Sequence, residues 1–253
     1  MLIINRLSKS NHGLAVALGT FDGLHRGHTE LIRRTCRDAE TEGLESTVLT
    51  FAQHPLSVLD PKGAPPCLAS PEMKRRLYAQ MGVRQLAEIP FTRDVAELQP
   101  GEFVYQYLLS ADVKLVEVGF NFRFGFHGLG DAEYLEYAGR QLGFGVHVLE
   151  QVRLEGETVS SSLIRSCVQR GDFDRAKKLL GRPYTLTGTT RDGVFSPDAD
   201  FCLPPQGQYD CGLADGHGNC RGQVEIRDGV LLVRGTLAEP NQLIFSGFGE
   251  EKE

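Results

Sequence analysis

The stretch "ALGTFDGLHRGHTELI", residues 17–32, decides how this chain is read: it sets two histidines, His25 and His28, three positions apart around Gly27, directly after a short apolar run. The run itself, "LAVALG" (14–19), is continuous rather than alternating, as expected of a parallel strand covered on both faces. A helix is expected next, carrying Leu31, Ile32 and Cys36 among charged positions and capped by Gly43. Where a buried parallel strand hands over to a helix, the free N–H groups of the first turn stand at the carboxyl edge of a sheet, and that is where doubly wound folds take their ligands. Residues three apart on a helix share a face, so His25 and His28 can address one group, with Gly27 allowing close approach. The guest that suits imidazole donors, backbone N–H groups and a helix N-terminus is a phosphate.

Outward from this segment, apolar strands alternate with amphipathic helices. "STVLTF" (46–51), "VRQLAEIPF" (83–91), "KLVEVG" (114–119) and "GVHVLEQV" (145–152) read as strands. "SPEMKRRLYAQMG" (70–82), "GEFVYQYLLSAD" (101–112) and "DAEYLEYAGRQLG" (131–143) read as helices, and so do "SSLIRSCVQRG" and "DFDRAKKLLG" up to Gly181. Such alternation predicts an α/β fold with a doubly wound parallel sheet. From Pro183 onward the texture changes to short strands and turns, which predicts a small β-rich C-terminal domain ending in a frayed tail, "GFGEEKE". The expected division is therefore 1–183 and 184–253.

Bulk properties narrow the class. A chain of 253 residues with 41% hydrophobic residues can bury a substantial core. Its formal net charge of −6 argues against a general nucleic-acid or membrane-surface binder, because both need a positive field. No stretch has the length of a bilayer span, and the first residues, "MLIINRLSKSNHG", lack the apolar centre of a secretory signal, so a cytoplasmic protein is expected. The six cysteines form no CxxC pair and read as reduced thiols. Cys202, Cys211, His217 and Cys220 can be drawn as a zinc site, but "DGHGN" between the last two cysteines reads more simply as a hairpin turn that leaves them on flanking strands. Oligomeric state is not legible.

Two further clusters carry chemistry. "VSSSLIR" (159–165) sets three hydroxyls at a helix start with Arg165 one turn inside; Ser160 alone would serve as an ordinary cap, whereas three serines plus a guanidinium fork suit a triphosphate. "VGFNFRFGFHGLGD" (118–131) comes directly after a strand. Its glycines do not make a dinucleotide fingerprint, and the alternation of Phe120, Phe122, Phe124 and Phe126 fits strand core as well as it fits a platform for a flat ring system beside Asn121. His12 and His147 read as positions without a role.

Taken together, "GTFDGLHRGH", "TFAQHP", "FTRDVAELQPGEFV", "VGFNFRFGFHGLGD" and "VSSSLIRSCVQRGDFDRAKKLLGRPY" resemble the bacterial FAD synthetase family, in the family's order and over residues 14–184. "HRGH" alone points only to the wider nucleotidylyltransferase superfamily; the phenylalanine loop and "GRPY" narrow it. The resemblance implies a nucleotidylyltransferase domain over 1–183 that transfers an adenylyl group from ATP to FMN, giving FAD and pyrophosphate with Mg2+. It further implies that His25, His28 and Arg165 act on the ATP phosphates, and that Gly19, Thr20, Phe21, Asp22, Gly27, Ser161 and Ser162 complete the ATP site. Phe51, His54, Pro55, Asn121 and Phe124 are implied near the flavin. The chain departs from the family pattern at Ala52, Gln53, Asn121 and Ser162. After "GRPY" it lacks the "PTAN" motif of the riboflavin kinase barrel, so residues 184–253 read as a shortened barrel remnant without kinase activity. A bifunctional enzyme with an altered kinase motif, a non-catalytic flavin or nucleotide binder, and transfer to a different phosphate acceptor are the alternative readings.

Overall fold

The computed structural model describes residues 1–215, 218–237 and 239–245. By packing, the chain divides into two units, one of residues 1–21, 27–64 and 75–152, the other of residues 22–26, 65–74 and 153–253. The change of texture at 183 is thus not where the packing divides; the helices before it belong with the barrel.

The first unit is built on six parallel strands: β1 (Leu2–Ile4), β2 (Leu14–Leu18), β3 (Glu45–Phe51), β4 (Gln85–Ile89), β5 (Val113–Gly119) and β6 (Gly145–Leu149), in the order β1-β4-β3-β2-β5-β6. The edge strand β1 is not legible as a strand in the sequence. Every residue of β2 is buried, which is why its sequence shows no polar alternation. Leu14, Val16 and Leu18 face one core with Val116 and Val118, while Ala15 meets Leu115 and Ala39 on the other face. Helix α1 (Arg26–Glu42) comes after β2, and its buried Leu31, Ile32, Thr35 and Ala39 recur at helical spacing. The chain runs from β2 through β3 to β4 on one side, then crosses back to β5 on the other. The order reverses between β2 and β5, so the carboxyl ends of these strands mark the crevice where such sheets bind ligands.

Helix α2 (Pro71–Gln80) starts at the expected proline. The expected helix at 101–112 forms as a short α-helix, Pro100–Phe103, that widens into a π-helix over Val104–Leu108 and closes as a 3-10 turn. Helix α3 (Ala132–Leu142) is capped by the Asp131 side chain, which accepts from Tyr134 N at 2.9 Å, and ends at Gly143 with φ 84°. The phenylalanine loop does not alternate as a strand. Only Arg123–Phe124 pairs, with Gly130–Asp131, and Phe126 begins a 3-10 turn.

In the second unit, α4 (Ser161–Val168) begins at Ser160, whose side chain accepts from Leu163 N as a capping serine should. Helix α5 (Phe173–Leu180) is next. Beyond it, β7 (Tyr184–Arg191), β8 (Val194–Pro197), β9 (Gly207–Ala214), β10 (Asn219–Arg227), β11 (Val230–Gly235) and β12 (Gln242–Phe245) close into an antiparallel barrel, β7-β8-β11-β10-β9-β12. Its filling obeys the two-residue period of its strands: Tyr184 and Leu186, Cys211 and Leu213, Val224 and Ile226, Leu243 and Phe245 are buried. The described residues from Tyr184 to Phe245 therefore form a closed barrel. Phe173 of α5 stacks on Phe245 at 4.7 Å and meets Tyr209 edge-on at 5.6 Å, which explains why this helix groups with the barrel. Cys211 and Cys220 lie on the paired strands β9 and β10, as the hairpin reading expects; His217 falls outside the described residues, as does the tail after Phe245.

Gly139 lies where α3 closely approaches Phe144 and β6. A Cβ there would lie 2.5 Å from the Phe144 carbonyl oxygen and 3.1 Å from Val146 Cγ2. Gly139→Ala is expected to lower the unfolding free energy by about 1–3 kcal/mol, read from the urea midpoint, despite alanine's higher helix propensity.

Candidate active site at the carboxyl end of strand β2

After Leu18 the chain must turn from a buried strand into α1 within seven residues. It does so through an unusual turn in which Phe21 (φ 48°), Gly23 (φ 74°) and Leu24 (φ 43°) all take the left-handed region. For bulky side chains this is a sparsely populated conformation, which costs about 1–3 kcal/mol per residue and survives only where the surroundings impose it. Gly23 has no room for a side chain, since a Cβ would come within 2.9 Å of Leu68 Cβ.

In the second unit, the surroundings that impose the turn Asp22–Arg26 are a set of hydrogen bonds. Asp22 Oδ1 accepts from Leu68 N at 3.0 Å, and Asp22 Oδ2 accepts from Arg165 at 2.6 Å. The Asp22 carbonyl accepts from Ser161 Oγ at 3.0 Å. Arg165 Nε donates to the Pro66 carbonyl at 2.8 Å. Arg182, which the sequence does not single out, donates to the Gly23 carbonyl at 2.6 Å and the Leu24 carbonyl at 3.1 Å. Asp22 and Arg165 are each 13% exposed, so their pairing is shielded from water and screening salt. Two of the Arg165 donors that the sequence offers to a triphosphate are thus engaged by the protein itself. Ser161 is likewise committed to the turn, while Ser162 is exposed.

His25 closes this turn at 6% exposure. Burial lowers its pKa to about 4, a backbone hydrogen bond opposing, and the positive charge of Arg182 adds to the lowering. It is a neutral imidazole at pH 7. Burial also lowers Arg182, to about 10, against the raising effect of Asp22. The signal that could have found Arg182 is its place in "GRPY": a basic residue directly after the capping Gly181, which has φ 78°.

In the first unit, Gly19 ends β2 where a Cβ would sit 2.8 Å from the Phe21 ring. The Thr20 carbonyl accepts from Thr50 Oγ1 at 3.4 Å. Phe21 is buried and meets the His28 ring edge-on at 5.3 Å, fixing the imidazole's plane in the first turn of α1. Gly27 and His28 lie in that first turn, where backbone N–H groups point out of the helix end instead of into its hydrogen-bond ladder.

At the end of β3, Phe51 packs edge-on against Phe91 at 4.8 Å. Gln53, one of the departures from the family pattern, clamps the loop through Nε2 to the Phe91 carbonyl at 2.8 Å and through Oε1, which accepts from Phe91 N at 3.3 Å. His54 Nδ1 accepts from Leu56 N at 3.2 Å, and Pro55 precedes the short helix Leu56–Leu59. After β5, Gly119 to Phe122 forms a turn closed at 3.0 Å, which leaves Asn121 exposed. Phe124 is a core residue, stacked with Phe122 at 5.6 Å and tilted against Phe103 at 5.0 Å. The ring that this loop presents outward is Phe120, at 49% exposure.

The donor set does not make a magnesium cage in the turn, because both Asp22 oxygens already accept hydrogen bonds. Among the described residues, the one group of three or more His, Cys, Asp or Glu side chains close enough to share an ion is Asp38, Glu117 and His147. Nor is any described helix long and apolar enough to cross a membrane.

Residues 7–163 match the family model described as FAD synthetase. Among curated relatives, a FAD synthetase of Listeria monocytogenes is 31% identical over 237 residues, 92% of this chain and 96% of that protein. A bifunctional riboflavin kinase/FMN adenylyltransferase of Pseudomonas fluorescens is 33% identical over 191 residues, and one of Bacillus subtilis is 32% identical over 209 residues. The matches take in 75% and 77% of this chain but only 61% and 65% of those two proteins, so the chain spans less than two thirds of these relatives. A solved structure described as a macrolide-efflux protein from Streptococcus pneumoniae superposes with a TM-score of 0.81 at 23% identity, covering 96% of this chain and 89% of that one, a likeness of fold alone. With the sheet, the β2–α1 turn and the barrel in place, the chain belongs to the FAD synthetase family.

Proposed function

We propose that this chain transfers the adenylyl group of ATP to FMN, giving FAD and pyrophosphate, and that it carries out no riboflavin kinase step. What supports the reading is the buried strand β2, which ends at the sheet's topological switch and is followed by α1, whose first turn carries Gly27 and His28 with the His28 ring against Phe21.

In this reaction an oxygen of the FMN phosphate bonds to the α-phosphorus of ATP while the bond from that phosphorus to the bridging oxygen breaks, and the electron pair leaves with pyrophosphate. The attacking phosphate is already largely ionised at pH 7, so no protein base or covalent nucleophile is needed. What the protein supplies is placement of two anions and donors for the charge on the phosphoryl oxygens. The His28 ring and the first-turn N–H groups of Gly27 and His28 are the proposed donors, with Gly19, Thr20 and Phe21 shaping the approach. His25, neutral through burial, would act by donating a hydrogen bond and not as a cation. Arg165, Ser161 and Arg182 are positioning residues for the turn Asp22–Arg26. Magnesium would arrive on the ATP phosphates.

Phe51, His54, Pro55 and Asn121 are the proposed flavin contacts, the first three on the segment that Gln53 clamps to Phe91. Phe124 contributes from beneath, as packing.

Purified protein incubated with ATP, magnesium and either FMN or riboflavin, with chromatography of the flavins afterwards, tests the reading. FAD from FMN with no product from riboflavin is expected; FMN formed from riboflavin would restore the kinase, and absence of FAD would remove the reading. His28→Ala is expected to lower turnover about 10²–10³-fold, equivalent to about 2.7–4 kcal/mol in the barrier, with an unchanged unfolding midpoint. Arg182→Met leaves two buried carbonyls without their donor, and is expected to cost about 1–3 kcal/mol for each such group along with most of the activity.

The depressed pKa of His25 sets a pH window. Above the ordinary imidazole value of 6.5 the ring is neutral folded or unfolded, and its contribution is intact. As pH falls from 6.5 toward about 4, the unfolded ring takes a proton that the folded ring refuses, so stability is lost over that interval, by at most about 1.4 kcal/mol per pH unit. Urea midpoints between pH 7.5 and 5 are expected to fall more steeply for the natural chain than for His25→Gln.

A further inference from the structure

His147 has no role in the chemistry above, and a buried glutamate in the middle of a parallel sheet needs a reason. Glu117 on β5 and His147 on β6 are register partners, and Asp38 projects toward them from α1. Their ligating atoms all lie within 4.8 Å of one another. His147 Nδ1 stands 2.9 Å from Glu117 Oε1 and 3.3 Å from Asp38 Oδ2. Glu117 is 0% exposed, and its second oxygen, Oε2, is buried without a hydrogen bond; the Arg34 Nε nearby, at 3.4 Å, is a charge contact only. The same guanidinium lies 3.5 Å from Asp38 Oδ2.

The plain alternative is an ion-pair network that fastens α1 to the sheet. That needs Arg34 and one carboxylate. Two carboxylates against one guanidinium leave either a surplus negative charge or a retained proton beside a fully buried oxygen, and a further cation can take the place of either. Donor separations of 2.9 and 3.3 Å fit the edges of a coordination shell whose bonds are about 2.0–2.2 Å long. One imidazole nitrogen with two carboxylate oxygens suits zinc and its first-row neighbours and not magnesium, which prefers an all-oxygen shell.

We propose that Asp38, Glu117 and His147 bind one divalent transition-metal ion, zinc being the best fit, that ties α1 to β5 and β6. Asp38 and His147 are 28% and 39% exposed, which gives the ion an entry path and leaves room for water to complete its shell. Arg34, 32% exposed, turns outward when the ion enters.

The full chain, stripped with a chelator, is titrated with Zn2+ by calorimetry, and Co2+ serves as a visible probe of coordination. One equivalent is expected, with a zinc-dependent rise in Tm. His147→Gln and Asp38→Asn, both at partly exposed positions, are expected to lose that equivalent and the rise while keeping the circular dichroism of the natural chain. Arg34→Gln, which removes a competing charge, is expected to bind about tenfold tighter. No equivalent in the natural chain, one that persists in both ligand variants, or no tightening in Arg34→Gln would overturn the proposal. Adenylyl transfer is measured separately, so its presence or absence leaves these outcomes unchanged.

Discussion

The ion pair between Asp22 and Arg165 is the interaction on which the β2–α1 turn depends. A chain leaving a buried parallel strand ordinarily enters the next helix through glycine or small polar residues, which tolerate the left-handed region. Here Phe21 and Leu24 occupy that region, and they are held there because Asp22 is fixed at three atoms: one oxygen on Leu68 N, the other on Arg165, and its carbonyl on Ser161. Substituting either partner would leave a shielded charge uncompensated, which costs far more than the pair's net contribution. Strain of this kind survives only where the surroundings impose it, and here those surroundings are Leu68, Ser161 and Arg165.

This arrangement changes what the serine and arginine cluster means. Three hydroxyls and a guanidinium near a helix start are compatible with a triphosphate clamp, and nothing in their spacing reveals that the anion they meet is the protein's own aspartate. Ser160 caps, Ser161 binds the Asp22 carbonyl, and Arg165 binds both Asp22 and Pro66. Such partners are distant in sequence, 139 and 143 residues from Asp22 for Ser161 and Arg165, so periodicity cannot disclose them.

The sheet is legible for the opposite reason. Each strand is short, apolar and bounded, and each helix carries its own start and stop signals, so β2, β3, β4, β5 and β6 emerge from local chemistry. Strand β1 escapes because three residues at the start of the chain give no period to read. The phenylalanine loop misleads because four aromatic residues at alternate positions imitate a strand, whereas Gly125 and Gly128, at φ 72° and 67°, break the pairing after two residues. Closure of the barrel depends on the pairing of β7 with β12, the first and last of its strands in chain order, with Tyr184 opposite Phe245, and so lies beyond any local signal.

Glu117 and Arg182 share the property that hides both in the sequence: each is a charged residue whose meaning comes entirely from burial. In the sequence Glu117 looks like the polar position of a half-exposed strand, and Arg182 like a surface residue after a helix. Once buried, each must be answered by something. Arg182 is answered by two carbonyls of a strained turn. Glu117 is answered by a histidine, a second carboxylate and an arginine that reaches it only at 3.4 Å, and burial pushes its pKa well above the usual carboxylate range. A site that remains short of positive charge at the point where a helix is fastened to two strands is a site where binding a cation and stabilising the fold become the same event.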